Sequence, residues 1–336
     1  MAEEIGDPRD VTWHPRRRSV LYGHDAAEAR LLNAHRSGML HHAWLISGPR
    51  GIGKATLAYR FARFLLQHPK PGEAVLQSLL VPADSTIVRH VAAGAHPDLF
   101  VLQRAFDGKK LKSEIAVADA RKASEFLERT AGAGGWRIAI VDSADDLNTE
   151  SANALLKIVE EPPPRSVFLL VSHRPGALAA TLRSRCIGLA LKALSHNDTL
   201  RVLQELPREA VAGDPRQAAE LSRGSPGLAL DLIGSRGAEV FADFTARPLL
   251  TPARCVEIGA HFAGRETAED YAVFCELLIG WIGGKARQAA LSGRGAALAK
   301  AHDDIASSLR QTDALNLDRR QTAVDALLVL GEALNA

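Results

Sequence analysis

Short apolar runs alternate with helix-like segments as far as Leu194. Runs of about four to eight apolar residues bounded by turn residues are typical of buried strands, and apolar residues that recur every three or four positions are typical of amphipathic helices. Strands that alternate with helices indicate a parallel sheet covered by helices on both faces. The predicted strands cover residues 43–46, 99–102, 137–141, 167–171 and 187–191.

Helical patterns fill most of the intervals between these strands. Three consecutive prolines at 162–164 stop one of the helices, because proline cannot continue a helix. The segment 68–97 holds several Pro and Gly residues and is predicted to contain only short helices. The longer predicted helices cover residues 24–37, 54–65, 118–129 and 150–161.

Only helical patterns follow Leu194. Ser195, Asp214 and Ser225 are predicted N-caps, the last two because each precedes a proline, which is favoured at the first helical position. Residues 234–237 (GSRG) are predicted to form a linker, and further loops are predicted near Gly264, Gly293–Gly295 and Asn316. The predicted division is a polar arm at 1–20, an α/β parallel-sheet domain at 21–193, a small helical domain at 194–235 and a helical domain at 236–336.

The composition narrows the class of protein. Hydrophobic residues make up 46% of the chain and charged residues 24%, a balance typical of soluble globular proteins. The formal net charge is only +2, so that any nucleic-acid contact has to come from a local patch. Three widely spaced cysteines fit neither a disulfide framework nor a zinc array. With a polar, acidic start and no membrane-length apolar run, we expect a cytoplasmic protein without zinc.

The residues 48–54 (GPRGIGK) match the phosphate-binding pattern G-x-x-x-x-G-K between a predicted strand and a predicted helix. Gly48, Gly51 and Gly53 let backbone N–H groups turn towards phosphate oxygens, and the start of the following helix adds its positive end. Lys54 is expected to contact the outer phosphates. A tight turn without any ligand is the alternative interpretation.

The next positions depart from that pattern. It requires Ser or Thr after the lysine to hold Mg²⁺, but the chain has Ala55. Thr56 is one residue too late, because one step on a helix turns a side chain by about 100°. Asp142, at the end of the third strand, stands where such folds place a carboxylate for Mg²⁺. The pattern therefore predicts phosphate binding and casts doubt on metal-assisted hydrolysis.

Three further motifs surround the phosphate loop. Residues 41–45 (HHAWL) precede it, residues 153–163 (NALLKIVEEPP) follow the acidic strand, and Ser184–Cys186 (SRC) precedes the fifth strand. In this order and spacing the motifs resemble the clamp-loader branch of the AAA+ family over residues 20–235. Beyond that segment, residues 316–320 (NLDRR) are similar to the last helix of the collar domains of delta-prime subunits. The resemblance implies an AAA+ P-loop domain, a helical lid domain and an all-α collar domain for oligomerisation.

The resemblance also implies roles for single residues. Arg185 of the SRC motif is expected to act as an arginine finger in trans, on ATP bound by an adjacent subunit; a surface ion pair is the alternative. Ser143 stands where active members have a glutamate base, and Gly227 stands where they have a sensor arginine. Ser172 occupies a position that senses the nucleotide. His173 beside it is equally compatible with a structural role.

The implied function is that of a delta-prime-type subunit of the bacterial DNA polymerase III clamp loader, which helps to load the sliding clamp on primed DNA. Its expected partners are the gamma/tau ATPase and delta subunits in a hetero-oligomeric ring. Whether ATP or ADP is bound without hydrolysis stays open. So do three alternatives: an active gamma/tau-type ATPase, a P-loop kinase, and a binding module with an idle finger. Candidate DNA contacts, which are equally compatible with solvated faces, are Lys109, Lys110, Lys112 and Arg16–Arg18.

Overall fold

The computed structural model of the chain separates into two compact units. The first unit holds the described residues up to Val211 together with Ser222–Leu228, and the second unit holds the others. The four-part division predicted from the sequence stays a prediction. The structure describes residues 7, 9–70, 77–129, 135–207, 210–211, 214–264, 266–291, 293, 295–315 and 317–335.

A five-stranded sheet forms the centre of the first unit. All neighbouring strands are parallel, in the order β2-β3-β4-β1-β5. In the register of the central strands, Trp44 lies beside Leu169 on one side and beside Ile187 on the other. The five strands are β1 (Ala43–Ser47), β2 (Leu99–Leu102), β3 (Arg137–Asp142), β4 (Ser166–Ser172) and β5 (Ile187–Ala190).

Helices cover both faces of this sheet. Side chains alternate along a strand; thus Trp44 and Ile46 join one buried apolar cluster, whereas Ala43 and Leu45 join the other. The predicted α/β fold class is confirmed, because a parallel sheet with both faces buried requires this arrangement. The helices of this part are α1 (Asp25–Arg36), α2 (Lys54–Gln67), α3 (Thr86–Ala92), α4 (Val117–Glu128), α5 (Thr149–Glu160), α6 (Ala180–Arg183) and α7 (His196–Gln204).

The polar arm before α1 is held by two arginines of α2. Arg63 is only 2% exposed, and its guanidinium donates to the carbonyl oxygens of Arg16 (3.0 Å) and Arg18. Arg60 donates to the carbonyl oxygen of Ser19 and forms an ion pair with Glu28. Such buried guanidinium groups need these acceptors, since an unpaired buried charge is costly. Residues 1–6 and 8 of the predicted arm lie outside the described residues.

The rest of the chain is helical. Within the second unit α10 packs on α12, α11 on α14, and α13 on both α12 and α14. No helix in the described ranges is long and apolar enough to cross a membrane. The remaining helices are α8 (Pro215–Leu221), α9 (Pro226–Leu232), α10 (Arg236–Ala246), α11 (Pro252–Ala260), α12 (Ala268–Ala290), α13 (Ala296–Leu315) and α14 (Arg319–Asn335).

The predicted helix starts are found. Ser195 and Ser225 accept N–H donors from the first turns of α7 and α9, and Asp214 accepts the N–H of Arg216 at the start of α8. Because α10 begins at Arg236, the predicted linker 234–237 is too long. The predicted loop at Asn316 falls on a residue outside the described part of the chain.

Candidate functional site

The phosphate loop connects β1 to α2, as predicted. Gly48, Gly51 and Gly53 all have positive φ angles, of 145°, 73° and 99°, a region in which side chains are strained. Space is also lacking, because a Cβ on Gly48 would lie 2.4 Å from the carbonyl oxygen of Leu191. The glycines therefore allow the positive φ angles of the loop and its close packing against the residue after β5.

Lys54 begins α2 and is almost fully buried. Its Nζ donates to the carbonyl oxygens of Gly48 (2.8 Å) and Pro49, which leaves one of its three N–H donors for a phosphate oxygen. Burial lowers the pKa of Lys54 to about 8, although the nearby carboxylates of Asp142 and Asp145 oppose this shift. The side chain therefore remains mostly protonated at neutral pH, and the loop fits a phosphate group.

The positions expected to hold Mg²⁺ fit a metal poorly. Ala55 offers a methyl group that packs against the apolar core. Burial, with the neighbouring charge of Asp146, raises the pKa of Asp142 to about 6, and Lys54 acts in the opposite direction. A carboxyl group that resists ionisation is a weaker metal ligand. Thr56 follows Ala55 on α2, turned away by one helical step.

Ser143 does not replace the missing glutamate base. Its hydroxyl donates to Oδ2 of Asp146 at 3.0 Å, and Asp146 also lies 3.4 Å from Nε of Arg104. A hydroxyl group is a poor base at neutral pH, and the adjacent carboxylate is already occupied by these two partners. The arrangement is therefore that of a structural turn after β3.

Ser172 ends β4 and is fully buried. Its hydroxyl donates to Asp145 (3.1 Å), whose carboxylate also accepts the backbone N–H groups of His173 (2.6 Å) and Arg174 (2.9 Å). Burial lowers the pKa of His173, so that its ring is neutral at pH 7. Asp145 thus joins the turn after β3 to the end of β4, a role that no local sequence pattern indicates.

Gly227 lies directly against the phosphate loop. Its N–H donates to the carbonyl oxygen of Gly51 (2.9 Å), and the hydroxyl of Ser225 donates to the carbonyl oxygen of Arg50 (2.8 Å). A Cβ on Gly227 would lie 2.7 Å from Cα of Gly51. The loop and this segment are so close that an arginine at 227 would not fit this backbone.

Arg185 lies between α6 and β5, with 37% of its side chain exposed. Nη2 is 2.5 Å from Oε1 of Glu160, and Nη1 donates to the carbonyl oxygen of Thr181 at 2.8 Å. The guanidinium opens onto a groove of about 500 Å³, which is lined by His41, His42, Val159, Glu160, Glu161 and Arg185.

The phosphate loop and Arg185 lie at opposite ends of the strands. The loop follows the carboxyl end of β1, whereas Arg185 precedes the amino end of the parallel strand β5. Along β1, which has five residues, the two ends are roughly 13 Å apart at about 3.3 Å per residue. Arg185 is therefore remote from the phosphate loop of its own chain.

The candidate DNA contacts differ in their surroundings. Arg16 and Arg17 both pair with Asp10, at 2.8 and 2.5 Å, and Arg18 pairs with Glu205. Their charge is thus largely balanced within the chain.

The three lysines lie on a short exposed turn between β2 and α4. Phe106 and Leu111 close this turn as an antiparallel bridge. The backbone N–H groups of Lys109 and Lys110 each donate to Asp107 at 3.0 Å. The turn presents Lys109, Lys110 and Lys112 to solvent.

The parallel sheet, the loop after β1 and the acidic end of β3 define a P-loop protein of the AAA+ class. A family model described as DNA polymerase III, delta subunit, matches residues 23–195, just over half of the chain. The chain belongs to this family.

Individual relatives agree with this assignment. The DNA polymerase III subunit delta' of Pseudomonas aeruginosa is 36% identical over 198 residues, which cover 57% of this chain and 56% of that relative. The subunit tau of Salmonella typhimurium is 30% identical over 222 residues, covering 66% of this chain and 33% of tau. The predicted resemblance to delta-prime subunits is confirmed, although the chain spans just over half the length of the delta' relative.

Among solved structures, the RuvB Holliday junction branch migration motor of Thermotoga maritima is similar with a TM-score of 0.39 and 19% identity. The similarity covers 69% of this chain and 68% of that protein. At these values the similarity does not bear on the fold or the function of the chain.

Proposed function

We propose that the chain is a delta-prime-type subunit of a DNA polymerase III clamp loader that supplies Arg185 to the nucleotide of a neighbouring subunit. It would work with gamma/tau ATPase and delta subunits in a hetero-oligomeric ring that loads the sliding clamp on primed DNA. One observation carries the proposal. A partly exposed arginine lies at the amino ends of the strands, whereas a phosphate loop without the expected hydroxyl ligand for a metal lies at their carboxyl ends.

In this proposal the phosphate loop holds ATP or ADP without hydrolysing it. The backbone of residues 48–53 and the remaining N–H donor of Lys54 are available for phosphate oxygens. A bound magnesium ion would supply charge neutralisation to phosphoryl transfer. Ala55 and Ser143 provide neither its hydroxyl ligand nor the base, which supports binding without turnover.

The proposed work of Arg185 is electrostatic. A guanidinium placed beside the transferring phosphoryl group stabilises the charge that develops there, and such fingers are worth about 10³–10⁵ in rate. A planar guanidinium donates two parallel hydrogen bonds to a phosphate group. Its open groove and its exposure support a role across a subunit interface.

The test is Arg185→Ala in a loader reconstituted with its ATPase subunits. The rate at the neighbouring site should fall by about 10³-fold or more, and clamp-stimulated turnover should fall sharply while the complex stays assembled in gel filtration. Arg183→Ala is the matched control, because Arg183 is an exposed arginine two residues away that donates to Pro175. Unchanged turnover in the Arg185 variant would refute the finger.

The second candidate function is an active gamma/tau-type ATPase. The complete G-x-x-x-x-G-K pattern at 48–54 and the similarity to subunit tau favour it. Against it stand Ala55, Ser143 and Gly227, three positions that lack the side chains such an enzyme would need.

A further inference from the structure

Two consecutive carboxylates, Glu160 and Glu161, stand at the carboxyl end of α5. The partial negative charge of a helix C-terminus disfavours acidic residues there. In isolation this end of α5 would therefore repel its own side chains. A cation placed against it relieves the repulsion.

Arg185 is that cation. Its Nη2 lies 2.5 Å from Oε1 of Glu160, and its Nη1 donates to the carbonyl oxygen of Thr181 at 2.8 Å. The guanidinium is thus held from two sides, by a side chain of α5 and by the backbone of α6. Nη1 also lies 3.5 Å from the hydroxyl oxygen of Ser184, so that contacts with α5 and with the end of α6 together define the direction of the side chain.

A histidine anchors the end of α5 from which this carboxylate projects. Nε2 of His42 lies 2.8 Å from the carbonyl oxygen of Val159, and the ring stacks on His41 with centroids 4.2 Å apart. This bond ties the amino end of β1 to the last turn of α5. Burial lowers the pKa of His42, so that its neutral ring adds no charge that competes for Glu160 at pH 7.

We propose that Glu160 is a positioning residue that holds Arg185 away from catalysis until a nucleotide triphosphate on the neighbouring subunit displaces the carboxylate. This inference rests on the proposed finger. The highly charged phosphate chain is a stronger partner for a guanidinium than a single carboxylate, because bidentate pairing with phosphate is favoured. Both side chains are partly exposed, at 37% for Arg185 and 45% for Glu160. The pair is therefore weak enough to exchange partners.

The experiment compares Glu160→Gln with the natural chain in the reconstituted loader. Loss of this exposed ion pair should raise the basal ATP turnover, measured in the absence of clamp and DNA, by about two- to fivefold. The increase should appear in kcat, and the KM for ATP should change little. Added salt should raise the basal turnover of the natural chain towards that of the variant, because salt screens the pair. Glu160→Asp, which keeps the carboxylate, should have a basal turnover nearly as low as that of the natural chain.

Two controls separate this effect from a general loss of charge. Glu150→Gln removes one carboxylate from the opposite end of α5 and should leave turnover unchanged. In the double variant Glu160→Gln with Arg185→Ala, the first substitution should have no effect. If Glu160→Gln lowers turnover or leaves it unchanged while Arg185→Ala still abolishes stimulation, the holding role is wrong and the finger stands.

A measurement on the chain alone does not depend on turnover. Side-chain ¹⁵N resonances of Arg185 should show slow rotation of the guanidinium in the natural chain and fast rotation in Glu160→Gln. Equal rotation in both proteins would overturn the holding role. If Arg185→Ala leaves turnover unchanged but the resonances differ, the pair exists and the proposed function is the part that fails.

Discussion

Three aspartates near the phosphate loop occupy different environments, although they are separated by only a few residues. Asp145 accepts three hydrogen bonds, and Asp146 accepts two from Ser143. Asp142 faces Lys54 and Arg9, but burial raises its pKa to about 6. Identical side chains therefore differ in their surroundings and ionisation because their hydrogen-bond donors and burial differ.

Asp142→Asn should stabilise the protein at neutral pH. The pKa of Asp142 is about 6 in the folded chain against an ordinary 3.8, so that between these values the folded state holds a proton which the unfolded state has released. Stability therefore falls as the pH rises through this window. Two pKa units correspond to roughly 3 kcal/mol, of which we expect about 1–2 kcal/mol in the variant because a buried amide also carries a desolvation cost.

The measurement is the melting temperature between pH 4 and pH 8. The variant should melt higher at pH 7.5, and its advantage should shrink as the pH approaches 4. Asp84→Asn, at an exposed position, should show no such trend. A variant that melts lower at pH 7.5 would mean that Asp142 stabilises the fold as a carboxylate.

At the scale of helices and strands, the start of α9 packs closely against the phosphate loop. The backbone of Gly227 meets the backbone of Gly51, and Ser225 adds a hydrogen bond to Arg50. A helix that carries a sensor arginine at this point would have to stand further from the loop. The close packing of the two backbones is therefore possible only because position 227 has no side chain.

Gly227→Ala should lower stability by about 1–3 kcal/mol, the usual cost of an overpacked site. The added methyl group would lie 2.7 Å from Cα of Gly51, and neither backbone moves easily. Chemical denaturation measures the change. Gly176→Ala is the control, because nothing lies within 4 Å of its Cβ position. Equal stability of the two variants would show that the contact is looser than described.

At the scale of the whole chain, the phosphate loop and Arg185 are separate, because the loop lies at the carboxyl ends of the strands and Arg185 lies at their amino ends. A nucleotide held by the loop would therefore be remote from the proposed finger of the same chain. If Arg185 acts as proposed, the missing metal ligands of the loop should not affect it.

The isolated chain should bind ATP with an affinity that changes less than about threefold when Mg²⁺ is replaced by a chelator. It should release no phosphate. Calorimetric titration measures the binding, and Lys54→Ala should abolish it, whereas Lys122→Ala, at an exposed lysine paired with Asp119, should not. Binding that is about tenfold tighter with Mg²⁺, together with phosphate release that depends on Lys54, would instead indicate a gamma/tau-type ATPase.

Much of the fold was predictable from local patterning. Buried strands, helix starts at Ser195 and Ser225, and the glycines of the loop follow from side-chain periodicity and backbone conformation, which depend on residues close in the chain. The motif at 48–54 and the departures at Ala55 and Ser143 were visible for the same reason. Each of them is a property of a short segment.

The pairings that give these residues their surroundings were not predictable. Asp145 and Ser172 are 27 residues apart, and Ser225 and Arg50 are 175 apart. Arg185 forms an ion pair with Glu160 only because α6 packs against α5. Such contacts depend on strand order and on how close two backbones come, and a pattern within one segment carries no information on either. The motifs therefore indicated the candidate arginine, and only the folded sheet determined at which end of the strands it lies.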